Sequence, residues 1–173
     1  MDQPKKTVGL YGFTGCNGDQ LTIIHSENRL LDFFNSAEIK SFSLAKSDND
    51  NSELDIALIE GSISNQEQAE QIKEIRDRTR FLVAIGNCSC YGGIQAMELG
   101  SKGWDKRFRN VYENGFFELR TPIESKPVDA FVHVDFYIPG CPIGADQFFF
   151  CFSYLIRGNI PVLPDHPVCA ECR

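Results

Sequence analysis

Apolar residues fall in short runs set off by polar, glycine-bearing turns, and the runs alternate between two spacings. Lys6 to Phe13 (KTVGLYGF) reads as a first buried strand. Asp19 to Asn35 carries Leu21, Ile24, Leu31 and Phe34 at helical spacing and predicts one helix with those residues on a broad face. Ile39 to Leu44 predicts a weaker second strand, and the polar, acidic AKSDNDNSE (Ala45 to Glu53) a loop. Leu54 to Ile59 (LDIALI) is a third strand, ending at Glu60-Gly61-Ser62. Asn65 is placed to cap a helix running to about Thr79 with Ala69, Ile72 and Ile75 inward. Arg80 to Gly86 (RFLVAIG) predicts a fourth strand and Phe131 to Ile138 (FVHVDFYI) a fifth. Ser101 to Val128, with the single Trp104, reads as irregular. Gly144 to Ile156, nearly all apolar, predicts a buried helix. Strands alternating with helices at these lengths imply an α/β fold, a parallel sheet with helices on both faces. No internal repeat or long linker interrupts the pattern, so residues 1–173 read as one domain, with 159–173 as a tail.

Composition narrows the function classes. A chain of 173 residues is long enough for a sizeable core. Its formal net charge of −7 disfavours sequence-independent nucleic-acid binding. MDQPKKTVGL lacks the apolar core of a signal peptide, and FFFCFSYLI (Phe148 to Ile156) is too short to span a bilayer. The expectation is a cytoplasmic protein with no membrane span.

The seven cysteines change the picture most: Cys16, Cys88, Cys90, Cys141, Cys151, Cys169 and Cys172. A reducing compartment and an odd count both argue against a disulfide framework. Burial is the plain reading for Cys151, inside the apolar helix. The others sit beside Gly and Pro. Cys16 follows the first strand, Cys88 the fourth (GNCSCYGG) and Cys141 the fifth (PGCP). In an open parallel sheet the carboxyl ends of the strands share one edge, where ligands bind. Three thiols far apart in sequence therefore converge there. Sulfur-only donors among glycines suit an iron–sulfur cluster. A structural zinc site would favour paired short spacings within one knuckle. The one C-x-x-C here is Cys169 to Cys172, at the chain's end.

TGCNGDQLTI, DIALIEGSIS, AIGNCSCYGGIQ, YIPGCP and PVCAECR, in that order, resemble the small subunit of nickel–iron hydrogenases. The resemblance covers essentially the whole chain. It is nearest to the cytosolic group, the sulfhydrogenase delta-type and bidirectional NAD(P)-linked enzymes. The cluster-bearing 20 kDa-type subunit of complex I is a relative, but it typically carries adjacent cysteines in its first loop, absent here. The resemblance implies a flavodoxin-like domain holding one 4Fe–4S cluster against a large subunit with the nickel–iron centre. Electrons would pass one at a time to iron–sulfur and flavin, diaphorase-type, subunits linked to NAD(P) or ferredoxin. No acid–base or nucleophile constellation stands out in the chain, so the expected role is relay rather than bond chemistry. A quinone-linked complex I-type subunit and a zinc-stabilised binding module are the alternatives.

In that family the first loop commonly reads C-x-G-C and supplies two ligands. Here Cys16 matches the first and Asp19 stands at the second, while Cys88 and Cys141 match the third and fourth. The fourth ligand is Asp19 by position or Cys90 by softness. Asp19 also reads as an ordinary acid in the first turn of a helix. In longer relatives the Cys169/Cys172 motif opens a region binding further clusters. Here the pair reads as a remnant or locally packed pair, with a redox pair or a half-site completed by another subunit as the other options. His25 is expected to face solvent or a helix neighbour, His133 to be a satisfied core histidine, and His166 to be a weak metal candidate. Glu60 reads as a turn stabiliser or part of a proton path. The GxxG spacing of the first loop lacks the full dinucleotide pattern. Apolar stretches such as FFEL (Phe116 to Leu119) beside an open edge imply that the chain needs a partner.

Overall fold

A computed structural model describes residues 5–97, 103–112 and 122–163. The strands are β1 (Thr7–Gly12), β2 (Glu38–Phe42), β3 (Leu54–Glu60), β4 (Ile63–Asn65), β5 (Thr79–Ile85), β6 (Pro122–Lys126) and β7 (Phe136–Ile138). The helices are α1 (Gly18–Ile24), α2 (Asn28–Ser36), α3 (Gln66–Asp77), α4 (Gly86–Tyr91), α5 (Trp104–Tyr112) and α6 (Ala145–Leu155). Five strands form one sheet in the order β2-β1-β3-β5-β7. Every neighbouring pair in it is parallel. This is the doubly wound order of flavodoxin-like folds, the fold the resemblance implies, and its parallel sheet is the one the alternating pattern implies.

Strand periodicity explains the two cores. In β3, Ile56 and Leu58 face one side while Ala57 and Ile59 face the other. The first side packs under α1, α2 and α6 through Ile23, Phe33, Phe148 and Phe152. The second packs under α3 through Ala69, Ile72 and Ile75. Asn65 caps α3 as expected, its side chain accepting from the Gln68 N–H at 2.8 Å. Phe33 is fully enclosed, with ring centroids of Phe152 at 4.7 Å and Phe148 at 6.2 Å. Phe33→Ala should therefore cost about 3–5 kcal/mol, read as a lowered denaturation midpoint at unchanged slope.

Three expectations are corrected. The single helix over 19–35 is two, because the chain turns at His25–Glu27, with Glu27 at φ 39. The hydroxyls of Thr22 and Ser26 donate to the carbonyls four residues back, a bond that bends helices. The break resets the phase, so Ile23 and Phe33 are buried while Leu21 and Leu31 are exposed. Second, the fifth strand is only Phe136–Ile138. Asp135 takes the place of the missing ladder: its carboxylate accepts from Leu82 N at 2.7 Å and from Arg76 at 2.5 Å. His133 therefore lies outside the sheet, exposed and 3.5 Å from Asp135, rather than in the core. Third, the region read as irregular contains α5, where Trp104 stacks on Phe108 at 5.4 Å, and β6, which pairs antiparallel with β4. The glycine-bounded stretch after β5 closes into the short helix α4. Among the described residues no helix is long and apolar enough to cross a membrane.

Candidate metal centre

The carboxyl ends of β1, β5 and β7 each deliver a cysteine to the same edge of the sheet. Cys16, Cys88 and Cys141 line one open hollow of about 790 Å³. All three are free thiols, Cys16 and Cys141 exposed and Cys88 partly covered. Among the described residues no three His, Cys, Asp or Glu groups close on a point where a single ion would sit. The sulfurs stand instead around the hollow.

The loops that carry them are tied to one another by side chains the sequence reading did not single out. Thr14 exchanges backbone hydrogen bonds with Ser62, N to O at 3.0 Å and O to N at 2.9 Å, which pins the Cys16 loop beside the end of β3. Asn87 clamps the other two loops: its N–H donates to Gly140 O at 2.7 Å and its Oδ1 accepts from Gly140 N at 2.9 Å. Gln95 joins the Cys88 region to the first loop, its Nε2 donating to Thr14 O at 3.0 Å and to Ser62 Oγ at 2.8 Å.

Two glycines are required by close approach. Gly86, at φ +77, sits so near Asp19 that a Cβ would lie 1.8 Å from Oδ2. Gly93, at φ +67, leaves room for Cys88, whose Sγ would be 2.6 Å from a Cβ there.

Asp19 lies in the first turn of α1 and is buried. Its Oδ1 accepts from Ile143 N at 2.7 Å, joining the first loop to the Cys141 loop. Its own N–H and that of Gln20 donate to the two oxygens of Glu60, each at 3.2 Å. Glu60 thus satisfies backbone groups at the open start of α1, the turn-stabilising role. Burial pushes both carboxyls above their ordinary range, only partly offset by these hydrogen bonds. Burial also raises the Cys88 thiol, Gln95 partly offsets it, and the fields of Cys16, Asp19 and Cys141 all bear on it. The three cysteines line the hollow; Asp19 is buried and is not part of its lining.

Cys90 is placed differently. Two positions along α4 from Cys88, it cannot share its face. The sulfur is buried in the second core, its thiol donating to Ala84 O at 3.5 Å, and burial pushes it up to about 12. Cys151 is fully buried, as expected. His25 is exposed. His166, Cys169, Cys172 and the FFEL stretch lie outside the described residues.

Residues 16–155 match the family described as NADH ubiquinone oxidoreductase, 20 Kd subunit. The chain is 34% identical to the sulfhydrogenase 2 subunit delta of Pyrococcus furiosus, over 96% of this chain and 68% of that protein. It is 30% identical to a subunit of the vhu F420-non-reducing hydrogenase of Methanocaldococcus jannaschii, over 95% of this chain and 61% of that one, so it spans under two thirds of that relative. Among solved structures, a chain of an NAD+-reducing NiFe hydrogenase in the H2-reduced state superposes with a TM-score of 0.79 at 27% identity. That match covers 93% of this chain and 96% of the other.

Proposed function

The chain belongs to the NADH ubiquinone oxidoreductase 20 Kd subunit family, and on that premise we propose that it is the electron-relay subunit of a multisubunit nickel–iron hydrogenase. One observation carries the reading: thiols from three separate strand ends line a single hollow. Sulfur donors spread round an open space suit a polynuclear cluster with a corner for each, and one 4Fe–4S cluster is the group we assign. Cys16, Cys88 and Cys141 would hold it, with Asp19 at the fourth corner. Cys90 is the weaker fourth ligand, because bringing its sulfur out would require α4 to turn and empty a core position. When bound, such a cluster accepts and releases one electron at a time. The chain's own residues fix the three loops, exclude water from beneath them and hold the donors in register.

The rim of the hollow supports a covering partner. Tyr91, Ile94 and Met97 border it with 67%, 83% and 57% of their surface exposed. Large apolar side chains around a redox site favour burial by a second protein, and a permanent interface of this kind exceeds roughly 2,000 Å². We assign that surface to the large subunit with the nickel–iron centre, and the onward path to diaphorase-type iron–sulfur and flavin subunits reducing NAD(P) or ferredoxin. Unpaired thiols suit a cytoplasmic setting.

The family description supports a second reading, a quinone-linked complex I-type subunit. Metal analysis of the anaerobically purified complex separates the two. Iron and acid-labile sulfide with nickel in a co-purifying large subunit is the expected result. Iron and sulfide without nickel would support the complex I-type reading. Zinc in place of iron and sulfide would remove the relay function.

A further inference from the structure

The opposite edge of the sheet, where β1, β3 and β5 begin, carries a second hollow that the relay does not use. Lys5 and Lys6 precede β1, Asp55 and Arg80 stand at the second positions of β3 and β5, and Arg157 follows α6. Together they line an open space of about 650 Å³. Four of the chain's 17 cations gather there although the formal net charge is −7. Arg80 is answered: Asp55 pairs with it at 3.3 Å while also accepting from Thr7 N at 3.0 Å. Glu38, whose N–H donates to Lys6 O at 2.9 Å, gives its carboxylate to Lys40 at 2.8 Å. Among the described residues Lys5, Lys6 and Arg157 have no ion-pair partner. A narrower apolar slot of about 180 Å³ opens from the same place, sharing Lys6, Asp55 and Arg80. Ile56, Phe81 and Leu155, at the margin of the first core, line it, and the exposed Ile160 borders it.

We infer that this edge is a docking surface for an acidic segment of a partner subunit, seated by its carboxylates on Lys5, Lys6 and Arg157 and anchored by one large apolar side chain in the slot. The partner is a chain of the multisubunit complex proposed above, so the inference rests on that assembly, though not on the cluster. An acidic chain repels other acidic chains, so a cationic hollow on it fixes where and in what orientation such a partner can land. The slot decides between occupants. A free anion such as phosphate would leave the apolar lining uncovered, and a bilayer surface would need a flat or protruding face where this one is concave. A side chain filling the slot supplies affinity, and the charges supply steering and register. β5 has seven residues. At roughly 3.3 Å of rise each, the segment lies roughly 20 Å from the edge that holds the thiols. Loosening it therefore leaves Cys16, Cys88 and Cys141 in place.

Carbodiimide cross-linking of the anaerobically purified complex, which condenses a lysine amine with a carboxylate in contact with it, tests the surface. Mass spectrometry should show Lys5 or Lys6 joined to an Asp or Glu of another subunit, in a stretch with further acids and a large apolar residue. Arg157→Glu and Ile160→Ser are read on the same complex by the retention of that subunit as salt is raised. Both side chains are exposed, so the fold should stand. Arg157→Glu should weaken the association about tenfold at low salt and less at high salt, and Arg157→Lys should restore it. Ile160→Ser should weaken it at every salt concentration. Iron and sulfide per chain should stay at the wild-type count. Cross-links confined to carboxylates of this chain, its own or a second copy's, would overturn the inference. So would a partner stretch lacking the acids or the apolar residue, the absence of any cross-link from these lysines, or wild-type retention in either variant. A chain that purifies with no other subunit strikes the multisubunit reading itself, and this surface with it.

Discussion

Cys88→Ala is expected to abolish hydrogen-dependent electron transfer and to strip the centre of its cluster while leaving the fold standing. Cys88 projects from α4 into the hollow, outside both hydrophobic cores, so its loss removes little packing. The expected change in stability of the cluster-free chain is within about 1 kcal/mol. Among the described residues no other thiol stands ready to replace it. Cys90, two residues on, is locked into the second core, and Cys151 is buried on the far side of the sheet. Asn87 holds the start of α4 against Gly140 through two hydrogen bonds, which opposes a rotation that would present Cys90 instead. Cys16→Ala and Cys141→Ala should have the same outcome for the same reason: each loop brings one thiol. Iron and sulfide content, the EPR spectrum of the reduced protein and circular dichroism make the set. A Cys141→Ala protein with full iron and an unchanged spectrum, in a normally assembled complex, would remove Cys141 from the ligand set.

The convergence of those thiols was legible because it depends only on topology. Parallel strands put their carboxyl ends on one edge, so any residue just after an apolar run followed by Gly is placed without knowledge of side-chain packing. Cys16, Cys88 and Cys141 meet that condition, and the Asn65 cap was legible because its partner is three residues away. Contacts reaching across the sequence were not. Whether Phe131 to Ile138 pairs throughout depends on the Asp135 carboxylate meeting Leu82 N, 53 residues distant. The turn at His25–Glu27 hides inside a run of acceptable helix formers, and its sign is the phase of burial at Ile23 and Phe33. Gln95 and Asn87 appear in the sequence only as polar residues in glycine-rich stretches. Their roles exist because three loops come within hydrogen-bonding distance of one another.

The same limit applies to Asp19, where sequence position offers two functions and packing adds a third. The carboxylate is held by Ile143 N through Oδ1, and its Oδ2 packs against the backbone of Gly86. A carboxylate at the fourth corner would be a harder donor than its three thiolate neighbours, and that corner the most labile. Asp19→Asn separates ligation from bracing. It keeps an oxygen for the Ile143 N–H, so the loops stay joined, but it removes the anionic donor. If Asp19 ligates, Asp19→Asn should yield a three-iron cluster or an altered spectrum at nearly unchanged stability. Asp19→Cys should restore four irons at a shifted potential, and Cys90→Ser should keep the cluster, since the Cys90 sulfur lies in the core. Asp19→Ala should show the loss of iron together with a destabilisation of about 1–3 kcal/mol, because Ile143 N would then be buried without its acceptor. The opposite pattern is equally readable. A four-iron cluster with wild-type spectrum in both Asp19→Asn and Asp19→Ala would make the carboxylate a brace between the Cys16 and Cys141 loops. Loss of the cluster in Cys90→Ser alone would mean that α4 turns on metal binding and presents the second thiol after all.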